Sequence, residues 1–231
     1  MKEAVDVAEL IKQIFQTAVQ AVAEVAARLP AHLSQVGTEL AKRGWYISDS
    51  MDLSDTSQIE NLLESNKMDD VDSFMTPIVR NRIPDLEKLI REHYPKRAAI
   101  VSLALDAHSR GEYALVIPTL LCQTEGICLD VVNTKLYKTK RKVPVISVVL
   151  EQYQTDDFLA AVLKPLETDL GIVARQEIRD RFPGVMNRHE VIHGIDTEYA
   201  TELNSLKAIS LLDYVATIMW EVVPNKKAAS A

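Results

Sequence analysis

A chain of 231 residues suffices for one large domain or two small ones and can bury a core without disulfide or metal staples. Apolar residues make up 47% and charged residues 26%, ordinary for a soluble globular protein, and only seven glycines argue against a turn-rich all-β fold. The net charge of −7 argues against general coating of nucleic acid, but residues 1–72 carry −7, 73–145 carry +5 and 146–231 carry −5, which suits a local anion site in the middle of an acidic chain.

The apolar residues recur at spacings of three and four, so the class is read as mainly α. Residues 2–29 are expected to form an amphipathic helix, with Leu10, Ile14, Ala18, Ala21, Val22, Val25 and Leu29 on one stripe and Pro30 ending it. Charges at Lys2, Glu3, Asp6, Glu9 and Lys12 rule out reading it as a signal peptide. A short helix over 33–43 should stop at Gly44, followed by a loop, Gly44 to Asp55, that Trp45 and Tyr46 anchor in the core. A further helix is placed at 57–65. Thr76-Pro77 is expected to interrupt the chain and Pro84 to open a helix reaching His93.

"HYPKR", residues 93–97, is the best domain boundary, dividing an N-terminal helical region (1–95) from a second helical domain (96–231). Residues 97–109 and 112–134 read as an αα-hairpin turning at Gly111, with Pro118 either kinking the second helix or marking its start. Cys122 and Cys128 on that helix should face different directions and serve as buried packing. They imply no disulfide framework, and a reducing cytosol is the natural setting. No run of eighteen apolar residues exists, so no membrane span is expected.

"KLYKTKRK", residues 135–142, holds five bases and no acid: Lys135, Lys138, Lys140, Arg141 and Lys142. It is either a solvated loop or a phosphate-binding segment. "VPVISVVL", residues 143–150, fits a strand or a buried helix. Two helices are expected between 155 and 181. Pro183-Gly184 breaks the chain before a motif helix, 185–193, which Gly194 closes. A final amphipathic helix is placed at 201–222.

The motif helix carries the chemistry, and it reads two ways. His189-Glu190-Val191-Ile192-His193 is H-E-x-x-H, the zinc-hydrolase spacing that puts both histidines on one helix face, about 40° apart. A catalytic zinc needs a third ligand. No histidine follows His193, the others (His32, His93, His108) lie far upstream, and Glu221 stands outside any motif. Metal binding is therefore not expected, and no cofactor is assigned.

The second reading pairs Arg188 with His193. RNA cleavage by its own 2′-hydroxyl needs a proton acceptor and donor near neutral pH, which suits His193. It also needs a permanent cation on the phosphate, which suits the fork of Arg188. His189 or Asn187 would orient or hydrogen-bond the phosphate, with Lys138, Lys140, Arg141 and Lys142 as further contacts. Glu125, on an apolar helix, would either pair with Arg188 and position it or face solvent. Blander roles stand beside these: Arg188 pairing with Glu198, and His193 capping its own helix.

"NRHEVIHGIDTEYATELNSLKAISLLDYV", residues 187–215, and "GEYALVIPTLLCQTEGI", residues 111–127, resemble segments of bacterial proteins in the HEPN superfamily, whose signature is an arginine and a histidine with four to six residues between them. The resemblance spans roughly 97–222. It implies a HEPN-like helical bundle, a homodimer with two motifs at a shared cleft, and metal-independent RNA cleavage in active members, many of them toxins or phage-defence effectors with an antitoxin or other regulatory partner. The sequence departs at Ile195, where one toxin subgroup carries a tyrosine that its antitoxin modifies; the next tyrosine here is Tyr199. The expectation is thus a cytoplasmic endoribonuclease. The alternatives are a non-catalytic module of the same fold, binding RNA, a nucleotide or a protein, and a zinc hydrolase.

Overall fold

The computed structural model describes residues 7–65, 67–140, 143–154, 156–168, 170–174 and 176–221. Among these residues the fold is all-α apart from one two-residue antiparallel pairing. The α-helices are α1 (Val7–Ala41), α2 (Leu53–Glu64), α3 (Met68–His93), α4 (Pro95–Ser109), α5 (Tyr113–Val132), α6 (Val145–Leu150), α7 (Asp157–Leu163), α8 (Arg188–Ile192) and α9 (Glu202–Glu221). Strands β1 (Thr139–Lys140) and β2 (Val143–Pro144) pair Thr139 with Pro144 and Lys140 with Val143.

Three prolines expected to end, interrupt or open helices lie inside them instead. α1 runs through Pro30, and α3 runs through both Pro77 and Pro84. In α3 the reason is a continuous apolar stripe: Val71, Met75, Val79, Leu86 and Ile90 are all buried on one side of the helix. Early in α1, Val25 is 52% exposed, so the expected apolar stripe is not buried at that position. The side chains of Leu10, Ile14, Ala18, Ala21 and Val22 lie outside those described. α2 begins at Leu53 rather than 57 because Asp52 starts it with a capping box. Its carboxylate accepts from the Ser54 and Asp55 amides, and the Asp55 carboxylate accepts from the Asp52 amide.

α5 starts at Tyr113, five residues before Pro118. Proline has no amide proton to give the Ala114 carbonyl one turn back. The Tyr199 hydroxyl donates to that carbonyl instead, at 3.0 Å. α5 is the one helix among the described residues that is long and apolar enough to cross a membrane by length and composition; here it packs against α4 and α9. Cys128 is buried in it, whereas Cys122 is exposed, contrary to the expectation that both are packed inside. The Arg97 guanidinium occupies the space over Gly126, 2.1 Å from where a Cβ would lie, so a side chain there would displace the end of Arg97. Arg97 crosses α5 at that point to reach Gln123 and Asp130.

One apolar cluster joins residues from Val36 to Met219, and it continues across the helix break at Tyr94. α9 runs through its middle and packs on α3 and α5. Trp45 and Tyr46 anchor their loop in the core as expected. The Tyr46 amide donates to Ser210 Oγ, and its ring stacks on Tyr214 with centroids 5.3 Å apart. The two buried charges of α9 are both matched. Lys207 meets Asp72 at 3.2 Å, and Asp72 also accepts from the Trp45 indole. Asp213 accepts from Arg82 at 3.1 Å and from the Ser48 hydroxyl at 3.0 Å. Burial costs each charge enough to move its titration against it, Lys207 downward and Asp213 upward.

Residues 143–150, ambiguous in sequence, divide into β2 and α6. The two helices expected over 155–181 are instead α7 and a series of short 3-10 turns at 164–167, 171–173 and 176–181.

Candidate functional site

The motif helix is shorter than the spacing suggests, with only five residues in α8. Asn187 starts it. Its side-chain oxygen accepts from the His189 and Glu190 amides, and its Nδ2 donates to the carbonyls of Gly171 and Ala174. Only 1% of Asn187 is exposed. With every polar atom of the amide engaged, its role is to hold α8 against the 171–174 turn rather than to reach a phosphate. Gly194 ends the helix in a left-handed conformation, φ +68°, that only glycine adopts without strain.

α8 forms one wall of a cleft of about 440 Å³. Arg188 and His189 face it, together with Tyr137, Thr139, Gln176 and Glu177. The Arg188 guanidinium lies 3.4 Å from Glu125 on α5 and 5.1 Å above the centre of the Tyr137 ring. A carboxylate from one side and an aromatic face from below thus fix the orientation of the cation. Burial, above all, raises the Tyr137 phenol well past its ordinary range, so it remains a donor and bonds the Leu121 carbonyl.

The two histidines are neighbours. Their ring centroids are 4.4 Å apart with planes tilted by 54°. Both are exposed. His193, at the end of α8, is not part of the cleft wall; its ring rests against His189, which is. Arg188 and His189 share α8, and His193 caps its end with its ring against His189. Glu190, the acid of the zinc pattern, is ion-paired with Arg179 at 3.5 Å. Arg179 in turn donates to the carbonyls of Phe182 and Val185 and ties the preceding turn to α8. Among the described residues no three His, Cys, Asp or Glu side chains are grouped to hold a metal ion.

The basic segment alternates. Tyr137 and Thr139 turn into the cleft, while Lys138 and Lys140 are exposed beside it. Arg141 and Lys142 lie outside the described residues. No family model, curated protein or solved structure matches the chain. The chemistry of the cleft is its own: a guanidinium held in place, the His189 imidazole with His193 against it outside the wall, lysines at the edge and apolar lining that includes Ile172 and Ala174.

Sequence reasoning missed Tyr137, Thr139 and Arg179. The signal for the first two was the alternation within "KLYKTKRK", which the run of positive charge obscured. Arg179 had no signal, because its partners come from the turn at 182–190. The Arg188 partner is Glu125, not Glu198.

Proposed function

We propose that this chain is a HEPN-like helical protein acting as a metal-independent endoribonuclease. The observation that carries the reading is the placement of Arg188, a permanent cation held at a cleft wall by Glu125 and Tyr137, beside two imidazoles in ring contact.

In the proposed reaction a phosphodiester lies against Arg188. His193 takes the proton from the 2′-hydroxyl, and its oxygen attacks phosphorus. The bond to the 5′-oxygen breaks, and that oxygen recovers a proton. Arg188 stabilises the negative charge that builds on the non-bridging oxygens. His189, in contact with His193, orients the imidazole. Lys138 and Lys140 steer the flanking phosphates. The partners in this reading are RNA, a second copy of the chain that brings two motifs to one cleft, and a protein that restrains the activity. The site of action would be the cytoplasm, and the role that of a toxin or phage-defence effector.

A second reading is a non-catalytic module of the same fold that binds RNA, a nucleotide or a protein. It is favoured by the fact that Arg188 already has a carboxylate partner, as a purely structural arginine would. The two readings differ in the products. Cleavage should leave a 2′,3′-cyclic phosphate and a 5′-hydroxyl, persist in EDTA and spare an all-DNA strand. Binding without cleavage under activating conditions would favour the module, and cleavage retained by both Arg188→Lys and His193→Ala would place the active site elsewhere.

A further inference from the structure

α1 is longer than the body it packs on. Toward its C-terminal end Val36 and Leu40 are buried in the core. Further back, every residue from Ala23 to Arg28 is exposed, and so are Gln16, Thr17, Val19 and Gln20. Six consecutive residues go more than once round a helix, so no side of the 23–28 stretch is covered by the other described elements. The stretch is nevertheless rich in alanine and valine. The line that places Leu40 and Val36 in the core continues at helical spacing through Leu29 to Val25, which is 52% exposed, and then through positions 22, 18, 14 and 11. Most of the stability of a helix in a protein comes from packing such a face, and at Val25 the face lies in water.

The charge and symmetry of this arm indicate what covers it. Residues 7–28 carry two acids, Glu9 and Glu24, and two bases, Lys12 and Arg28. A neutral arm has no pull on an anionic lipid surface or on RNA, both of which call for a surplus of lysine and arginine. Nor is it repelled by its own copy. The apolar line is symmetric about Ala18: Ile14 and Val22 stand four residues to either side, and Ile11 and Val25 seven. Two arms laid antiparallel about that point set Ile14 level with Val22 and Ile11 level with Val25, with the small Ala18 of each at the crossing. In the same alignment Lys12 falls level with Glu24, and Glu9 falls within one residue of Arg28. Laid parallel, each charge would fall level with its own like, which complementary interfaces avoid.

We propose that residues 7–28 of α1 form a self-association surface that pairs antiparallel, about Ala18, with the same arm of a second copy. The surface shares no residue with the Arg188 cleft or the α4–α5 hairpin, and it does not depend on the proposed reaction. An overlap of about 30 Å on one helix face is small for an interface, so the contact is weak and fills at roughly 100 micromolar chain. The test uses the full chain with Cys122→Ser, which removes the exposed thiol. At that concentration, oxidation with diamide should link Ala18→Cys chains into disulfide dimers. Val25→Cys chains should not link to one another, but should link to Ile11→Cys chains when the two are mixed. Sedimentation velocity should show a concentration-dependent association that Val25→Glu removes, with the thermal unfolding profile unchanged because Val25 already meets solvent. Ala18→Cys linking no faster than a Gln20→Cys control, Val25→Cys linking to itself, or an arm that binds phosphatidylglycerol vesicles in place of its copy would overturn the proposal.

Discussion

Arg188 and Glu125 meet at 3.4 Å across 63 residues of sequence, joining the first residue of α8 to the middle of α5. The contact holds the guanidinium over Tyr137 and sets where an anion can be received. In the proposed reaction Glu125 is therefore a positioning residue. Glu125→Ala should lower single-turnover cleavage by on the order of 10²-fold, the scale of a cation misplaced by about an ångström, with a smaller effect on KM. Equal rates in the variant and the parent would mean that the pair only braces the two helices.

His193→Ala should cost roughly 10²–10⁴-fold in cleavage by removing the proton-transfer group. Arg188→Lys should fail comparably, since a point charge does not reproduce the two-pronged grip of the guanidinium. End-group analysis of the products checks both, because residual cleavage by the proposed route would still leave cyclic phosphate ends.

The lysines beside the cleft should show themselves through salt. Neutralising Lys135, Lys138 and Lys140 together should weaken RNA binding and make it less salt-dependent, by about one unit of slope for each phosphate that is no longer neutralised. A slope equal to that of the parent would make the hairpin a solvated turn.

Most of the fold can be read from sequence because its helices carry apolar stripes at helical spacing. Sequence and structure part where a local rule meets a stronger tertiary one. Pro77 and Pro84 are helix breakers in isolation, yet the stripe from Val71 to Ile90 passes both, and burying that face outweighs the lost backbone hydrogen bonds. At the site, Arg188, His189 and His193 are legible because they are close together in sequence. Tyr137 is not: its contribution depends on the chain leading into β1 lying beside α8, and the run of positive charge obscures the alternation that would announce it. Asn187 stands within the motif, but its neighbours in sequence do not reveal that all its hydrogen bonds go to backbone.

The α4–α5 hairpin leaves Leu103 and Leu115 69% and 65% exposed. If the chain pairs as proposed, this hairpin is the surface to test. The parent should scatter light as a dimer at micromolar concentration, and Leu103→Asp with Leu115→Asp should yield a folded monomer. A dimer unaffected by both changes would place the interface elsewhere.

His108 offers a pH test that does not depend on the proposed chemistry. It is buried, with Nδ1 2.8 Å from Ser205 Oγ. Burial is the main cause holding its pKa below the ordinary 6.5; Glu202 opposes the shift and Arg80 adds to it. The folded chain thus takes up this proton less readily than the unfolded chain. The stability involved is present above pH 6.5 and lost as pH falls through the lowered value. Urea midpoints should drop between about pH 7 and 5, and His108→Gln should flatten the drop. Parallel profiles would assign the acid sensitivity to other groups.

Every position from Ser205 to Ala216 is buried, and α9 is the partner of both α3 and α5. Among the described helices it is also the last to leave the ribosome. Until it does, the inner faces of α3 and α5 have nothing to close upon, and α5 carries the carboxylate that holds Arg188. A nascent chain halted before this helix should remain unfolded and susceptible to proteolysis, with its cleft unformed. For a protein whose proposed activity would damage the cell's own RNA, assembly that waits for this helix means that a translation interrupted before it yields an inert fragment instead of a partly active one.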